Sequence, residues 1–397
     1  GTGLIGRGNP RYPDEKMGWG EWTGRAAIDW KPVLSFTDET MLYASFSRGY
    51  KGGGGDPRGR DYNPNLVDAP ILPSRYDAEY VNAFEIGMRN TLADGRLMFN
   101  ATAFFYDYEN YQVAQLMERA IHNENFDAKI WGLEVETAWS PFRNFRIDAT
   151  LGLLETRIGD GEKSIDVMNR TQGNDDWVVM RPWPGSPSTC IVPKDIVGRI
   201  ANKSDYTLAG MPNYIGAIIS MRTLCPSLYQ NVTWIPGAPT DFLNYADIWM
   251  DQWQAAHPIN WDPLTMAPNG GRGFYADLSG HELPNAPKMT FNIGAQYRIE
   301  LPQGWDVTVR GDYYRQSESW MRVYNTEYDR LRAWDNANMS VTVTNPDGTL
   351  AIQAYVKNVF DKTPITDGFT GPDELGNFTN VFTLDPRIMG VSVRSSF

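Results

Sequence analysis

Glu134 and Glu136 stand two residues apart in the run WGLEVETAW, which puts both carboxylates on one face of an extended strand, where they could act as a general acid and base. The same polarity recurs in the other alternating segments, so the pair reads as the lining of a wet cavity. Asp175-Asp176-Trp177 sets two carboxylates beside an indole. That combination could hydrogen-bond hydroxyls or a cation while the ring stacks on a sugar or another planar ligand. Trp183, Trp234 and Trp253 fall in the same region, as do Trp249 and Trp261, and complete a candidate ligand-binding set. Each could equally belong to the small core of a folded insertion. Other chemistry finds no frame. Gly52–Gly55 is not followed by Lys-Ser/Thr, no serine sits in G-x-S-x-G, and Cys190 and Cys225 lack the C-x-x-C spacing of a metal site. His122, His257 and His281 are the only histidines, a poor basis for axial ligation of haem. No catalytic residue, metal or cofactor is expected.

The elements that carry these residues follow from periodicity. Among 397 residues, 42% are hydrophobic, yet no run approaches the roughly 20 apolar residues of a membrane-spanning helix. Hydrophobicity instead alternates with the period of a strand. Leu97, Phe99, Ala101, Ala103 and Phe105 oppose Asn100, Thr102 and Tyr106; Met289, Phe291, Ile293 and Ala295 oppose Thr290, Asn292, Gln296 and Arg298; Val307 and Val309 oppose Thr308 and Arg310. From Leu350 the pattern repeats with Ile352, Ala354 and Val356 against Gln353, Tyr355 and Lys357. About eleven such segments occur, six within residues 1–158 and five within 286–397, and residues 159–285 interrupt them. A structureless loop of that length is improbable, so the interruption should fold as a cap, with helices expected over Pro193–Ala201 and Thr240–Ala256. Short turns at Ala93, Pro141, Leu301 and Asn345 alternate with long polar connections. One end of the sheet is trimmed and the other elaborated, as in an outer-membrane barrel. With 48 acidic residues against 36 basic, the chain offers no patch for nucleic acid.

Five segments resemble, in order, the C-terminal half of a TonB-dependent outer-membrane receptor: YASFSRGYKGGG (Tyr43–Gly54), FEIGMRNTLADGRLMFNATAFFYDYEN (Phe84–Asn110), WGLEVETAW (Trp131–Trp139), YVKNVFDKTPIT (Tyr355–Thr366) and DPRIMGVSVRSSF, which closes on Phe397. The resemblance implies an all-β fold, a transmembrane antiparallel β-barrel in which these are eleven of about 22 strands, with residues 159–285 as an extracellular cap. It makes Phe397 the barrel-terminal signal and Glu134, Glu136, Arg298, Arg310 and Lys357 lumen-lining. Outside the inner membrane, Cys190 and Cys225 are expected to pair. Eleven strands alone would leave two unpaired edges in lipid, so an N-terminal half holding the plug and the remaining strands is the expected partner, as a separate chain or a missing segment. The further partners implied are outer-membrane lipid, a TonB-type energy-transducing protein acting through that missing part, and a small-molecule or glycan ligand. The implied function is active uptake of a scarce nutrient, most often a ferric siderophore. Oligosaccharide uptake or a surface carbohydrate-binding β-protein are the alternatives kept open by the tryptophans.

Overall fold

The computed structural model describes residues 17–55, 75–117, 120–180, 189–201, 224, 261, 263–371 and 376–396. Its body is one antiparallel sheet of eleven strands in simple sequence order. These are β1 (Gly24–Trp30), β2 (Glu39–Lys51), β3 (Glu79–Leu92), β4 (Leu97–Met117), β5 (Ala120–Trp139), β6 (Phe145–Ile158), β7 (Met289–Glu300), β8 (Asp306–Gln316), β9 (Trp334–Thr344), β10 (Leu350–Lys357) and β11 (Ile388–Ser395). Each strand pairs with its sequence neighbour, β6 with β7 across the long interruption, and β1 and β11 form the two edges.

The trimmed end is built by turn chemistry. Between β3 and β4, Ala93, Asp94 and Gly95 all take positive φ, and Gly95 N–H donates to Asp38 Oδ2 at 2.9 Å. Between β9 and β10, Asn345 Oδ1 accepts Leu350 N–H at 2.8 Å while its carbonyl accepts Gly348 N–H at 3.0 Å, an Asx-type closure that lets the chain reverse within a few residues.

Register aligns the alternation into rows. One apolar row runs Ile28, Ala44, Ile86, Ala103, Leu133, Leu153, Met289 across seven paired strands. A second runs Ile299, Val307, Val343, Ile352, Val393. Ile86, Val309, Met389 and Val391 on this face are each more than a third exposed, so it is not the inside of a two-layered sandwich. Towards the elaborated end the apolar face stops at a polar row, Arg48, Asn82, Asp107, Lys129, Arg157. Towards the trimmed end it closes on exposed Trp30, Trp139 and Tyr297. Trp131–Trp139 spans the band on β5, about the 9–11 residues that a tilted strand needs to cross a hydrocarbon core.

The opposite face is polar and closely fitted. Bulky side chains lean over glycines on neighbouring strands: Tyr43 over Gly87, Phe104 over Gly132 and Tyr355 over Gly390, so that a Cβ at these positions would meet ring atoms within 2.7 Å. Arg310 lies across Gly294 in the same way. Its guanidinium reaches Asp312 at 2.5 Å and Asp148 at 3.3 Å, and Arg146 meets Asp148 at 2.7 Å.

Candidate functional site

The elaborated end gathers the site because four connections fold against the tall β4–β5 hairpin. A bulge between Tyr108 and Tyr111, with Asn110 at φ 58° and its N–H bonded to Asp127 Oδ1, shifts the parity of β4. Beyond it, Tyr111 and Val113 pair with Phe126 and Glu124 on the face that lower down carries Glu134 and Glu136. Phe126, Ala128 and Ile158 are buried there with Leu278, Leu283, Val323 and Tyr324, a core shared by the wall and the connections. Sequence alternation leads one to expect a loop before Trp131; the strand in fact begins at Ala120. The connections supply the apolar partners that this upper stretch needs.

A buried polar network locks the connections in place. Ser164 Oγ donates to Glu124 Oε2 at 2.5 Å, and Gln115 Nε2 donates to the same carboxylate. The Tyr324 hydroxyl stands 2.9 Å from Ser164 Oγ and from the Ile165 carbonyl, and 3.0 Å from Gln115 Oε1. Burial pushes the Glu124 carboxyl above the usual carboxylate range, against the opposing pull of the Ser164 hydrogen bond, His122, Gln115 and Arg272. Burial likewise lifts the Tyr324 phenol, reinforced by Glu124. Beside them Arg322 Nη1 donates to Asp166 Oδ1 at 2.7 Å and its Nε to Asp329 Oδ1 at 2.6 Å. Asp329 is fully buried and also closes a capping box with Thr326. Burial weighs against the Arg322 charge, yet the two aspartates outweigh it and hold the guanidinium above its ordinary value.

Between the hairpin tip, the turn at Pro284–Asn285, residues 321–324 and the strand Ile365–Thr370 lies a cavity of about 570 Å³. Tyr111, Met321 and Phe369 supply its apolar wall, and Asn285, Arg322 and Asp367 its polar points. A volume of this order suits a compact ligand.

None of the described candidates read from sequence lines this cavity. Trp177 opens the short strand Trp177–Met180, half-buried, with Trp261 at 6.1 Å and Phe274 edge-on at 5.7 Å between ring centroids. Asp175 is fully exposed, 3.9 Å from Lys194 Nζ, and the Asp176 carbonyl accepts Lys194 N–H at 2.8 Å. Neither lines the cavity. Trp183, Trp234, Trp253, Cys225, Phe397 and the helix expected over 240–256 lie outside the described residues. Cys190 is disulfide-bonded and buried with Val192, Ile196 and Leu224. The expected first helix forms as Lys194–Ala201, here called α1. Glu134, Glu136, Arg298, Arg310 and Lys357 share the polar face of the sheet; Arg298 pairs with Asp306, and Lys357 stands 5.8 Å from the Tyr355 ring. The cavity residues escaped the sequence reading. The available signal was the loss of alternation at Tyr108–Tyr111 and the apolar residues Phe126, Ala128 and Ile130 at positions of the wrong parity.

A family model for a TonB dependent receptor-like beta-barrel matches residues 4–217, more than half of the chain. Among solved structures, the ferric yersiniabactin uptake receptor of Yersinia pestis is similar, with a TM-score of 0.51 and 12% identity over 94% of this chain and 37% of that one. The siderophore receptor PiuA of Acinetobacter baumannii gives 0.49 and 15%, over 94% and 35%. The ferric preacinetobactin receptor of the same organism gives 0.49 and 11%, over 94% and 36%. The chain therefore spans little more than a third of the length of these structures, and the likeness to the first of them, at 12% identity, concerns the fold alone.

Proposed function

We propose, since this chain belongs to the TonB-dependent receptor family, that it forms wall and ligand-capturing connections of an outer-membrane transporter for a ferric siderophore. The observation that carries this reading is the two-sidedness of the sheet. One face is an apolar band of membrane height, the other is charged, and every elaborate connection emerges at the same end. Placed in the outer membrane with that end outward, the apolar rows meet lipid, and Glu134, Glu136, Arg298, Arg310 and Lys357 line a hydrated lumen. Residues 159–285 act as an extracellular cap. The edges β1 and β11 are closed by the remaining strands of the barrel, because unpaired backbone groups in hydrocarbon cost several kcal/mol each. A plug fills the lumen and couples it to a TonB-type protein of the inner membrane. The residues of this chain do no bond chemistry in such a cycle; they bind, orient and enclose.

Uptake of radioactive iron by cells with and without the gene, under iron limitation, tests the reading. Import of a ferric siderophore that is lost on deletion, and lost again when the energy-transducing protein is removed, is the expected result. Unchanged iron uptake together with impaired growth on an oligosaccharide would move the cargo to glycans.

A further inference from the structure

The cavity at the elaborated end has an unusual charge balance. Arg322 and Asp367 are its charged lining residues. Arg322 is committed to Asp166 and Asp329, so that trio is net negative before Asp367 is added. Asp367 is half-buried, and its Oδ1 accepts Asn285 Nδ2 at 3.2 Å and Gly368 N–H at 2.7 Å. No ion pair to Asp367 occurs among the described residues. Phe369 follows two residues later in the same strand, more than a third exposed, so carboxylate and aromatic ring project from one side of it. A carboxylate beside an aromatic face is the pairing that holds an ammonium group, by charge and by attraction to the ring quadrupole. A polyanion brought into the same space would lose hydration against a wall whose one positive charge, Arg322, is already outweighed by two aspartates.

We propose that this cavity takes a ligand whose docking face is uncharged or cationic, and that among ferric chelates it selects an amine-bearing tris-hydroxamate over a polyanionic tris-catecholate. The proposal rests on the siderophore reading above and narrows it. The hydroxamate core around iron carries no net charge, its pendant ammonium meets Asp367 and Phe369, and Tyr111 and Met321 cover the apolar linker.

The receptor purified from outer membranes, titrated by quenching of tryptophan fluorescence with ferrioxamine B and separately with ferric enterobactin, provides the test. Ferrioxamine B should bind at least about tenfold more tightly. Asp367→Asn should shrink that preference and Asp367→Lys should invert it, with heat-modifiable migration confirming that each variant is folded. Equal affinities, a wild-type preference for the catecholate, or a ratio untouched by Asp367→Lys would overturn the charge selection while leaving siderophore transport standing. Folded wild-type receptor that binds neither probe would overturn this inference, while the siderophore reading stands or falls on the iron-uptake measurement above.

Discussion

Tyr43 lies over Gly87, its paired residue on the next strand, and holds its hydroxyl 2.8 Å from Thr102 Oγ1 one strand further on. One side chain thereby ties three strands together, and it can do so only because Gly87 has no Cβ. Gly87→Ala should force the ring aside and lower stability by about 1–3 kcal/mol, whereas Tyr43→Phe should lose only the hydrogen bond, about 0.5–1.5 kcal/mol. Urea midpoints of the receptor in detergent would separate the two, and equal effects would show that the ring's position does not depend on the glycine.

The Arg322 clamp joins the start of the insertion to the connection after β8. Arg322→Met should leave Asp166 and Asp329 buried without a counter-charge, a loss on the order of 3–5 kcal/mol confined to the connections. Limited proteolysis should cut within 159–180 or 319–331 in the variant while the wall keeps its heat-modifiable migration. A protease pattern identical to wild type would mean that the aspartates find other partners.

Glu124 supplies a pH dependence of defined sign. Its folded carboxyl is raised above the ordinary value by burial, so the native state holds the proton more tightly than the unfolded one. Stability from this group is therefore complete below the ordinary carboxylate pKa of about 4.3 and is lost as pH climbs through the raised value. Glu124→Gln should flatten that decline and stabilise the connections at neutral pH. Hydrogen exchange at residues 161–165 and 322–325, compared at acid and neutral pH, would reveal it.

The two faces of β5 should answer oppositely to charge. Leu133→Arg places a guanidinium in the upper half of the apolar band and should cost about 1–3 kcal/mol, between the mid-plane and interface values. Glu134→Gln, one residue away on the polar face, should leave folding into lipid nearly unchanged. Refolding into vesicles measures both, and a tolerated Leu133→Arg would mean that this face does not meet lipid.

Much of the wall was legible in the sequence, since the membrane-height part of most strands carries a period-two pattern and each tight turn carries Asn, Asp, Pro or Gly where reversal needs it. The cavity was not. Tyr111 and Gln115 line it together with Arg322 and Asp367, more than two hundred positions away, and alternation is blind to such long-range packing. Trp177 shows the complementary difficulty. An indole beside two aspartates has the composition of a binding platform, but its neighbours Trp261 and Phe274 come from another part of the chain and share its ring surface.

On β5, Phe126, Ala128 and Ile130 point to one side and Trp131, Leu133 and Val135 to the other, so the greasy side changes within a single residue step. That crossover sets the height at which the molecule floats, because the upper stretch asks for a protein neighbour and the lower for acyl chains. It also makes the insertion's interior depend on the wall, since Phe126 and Ile158, borrowed from two hydrogen-bonded neighbours, complete it.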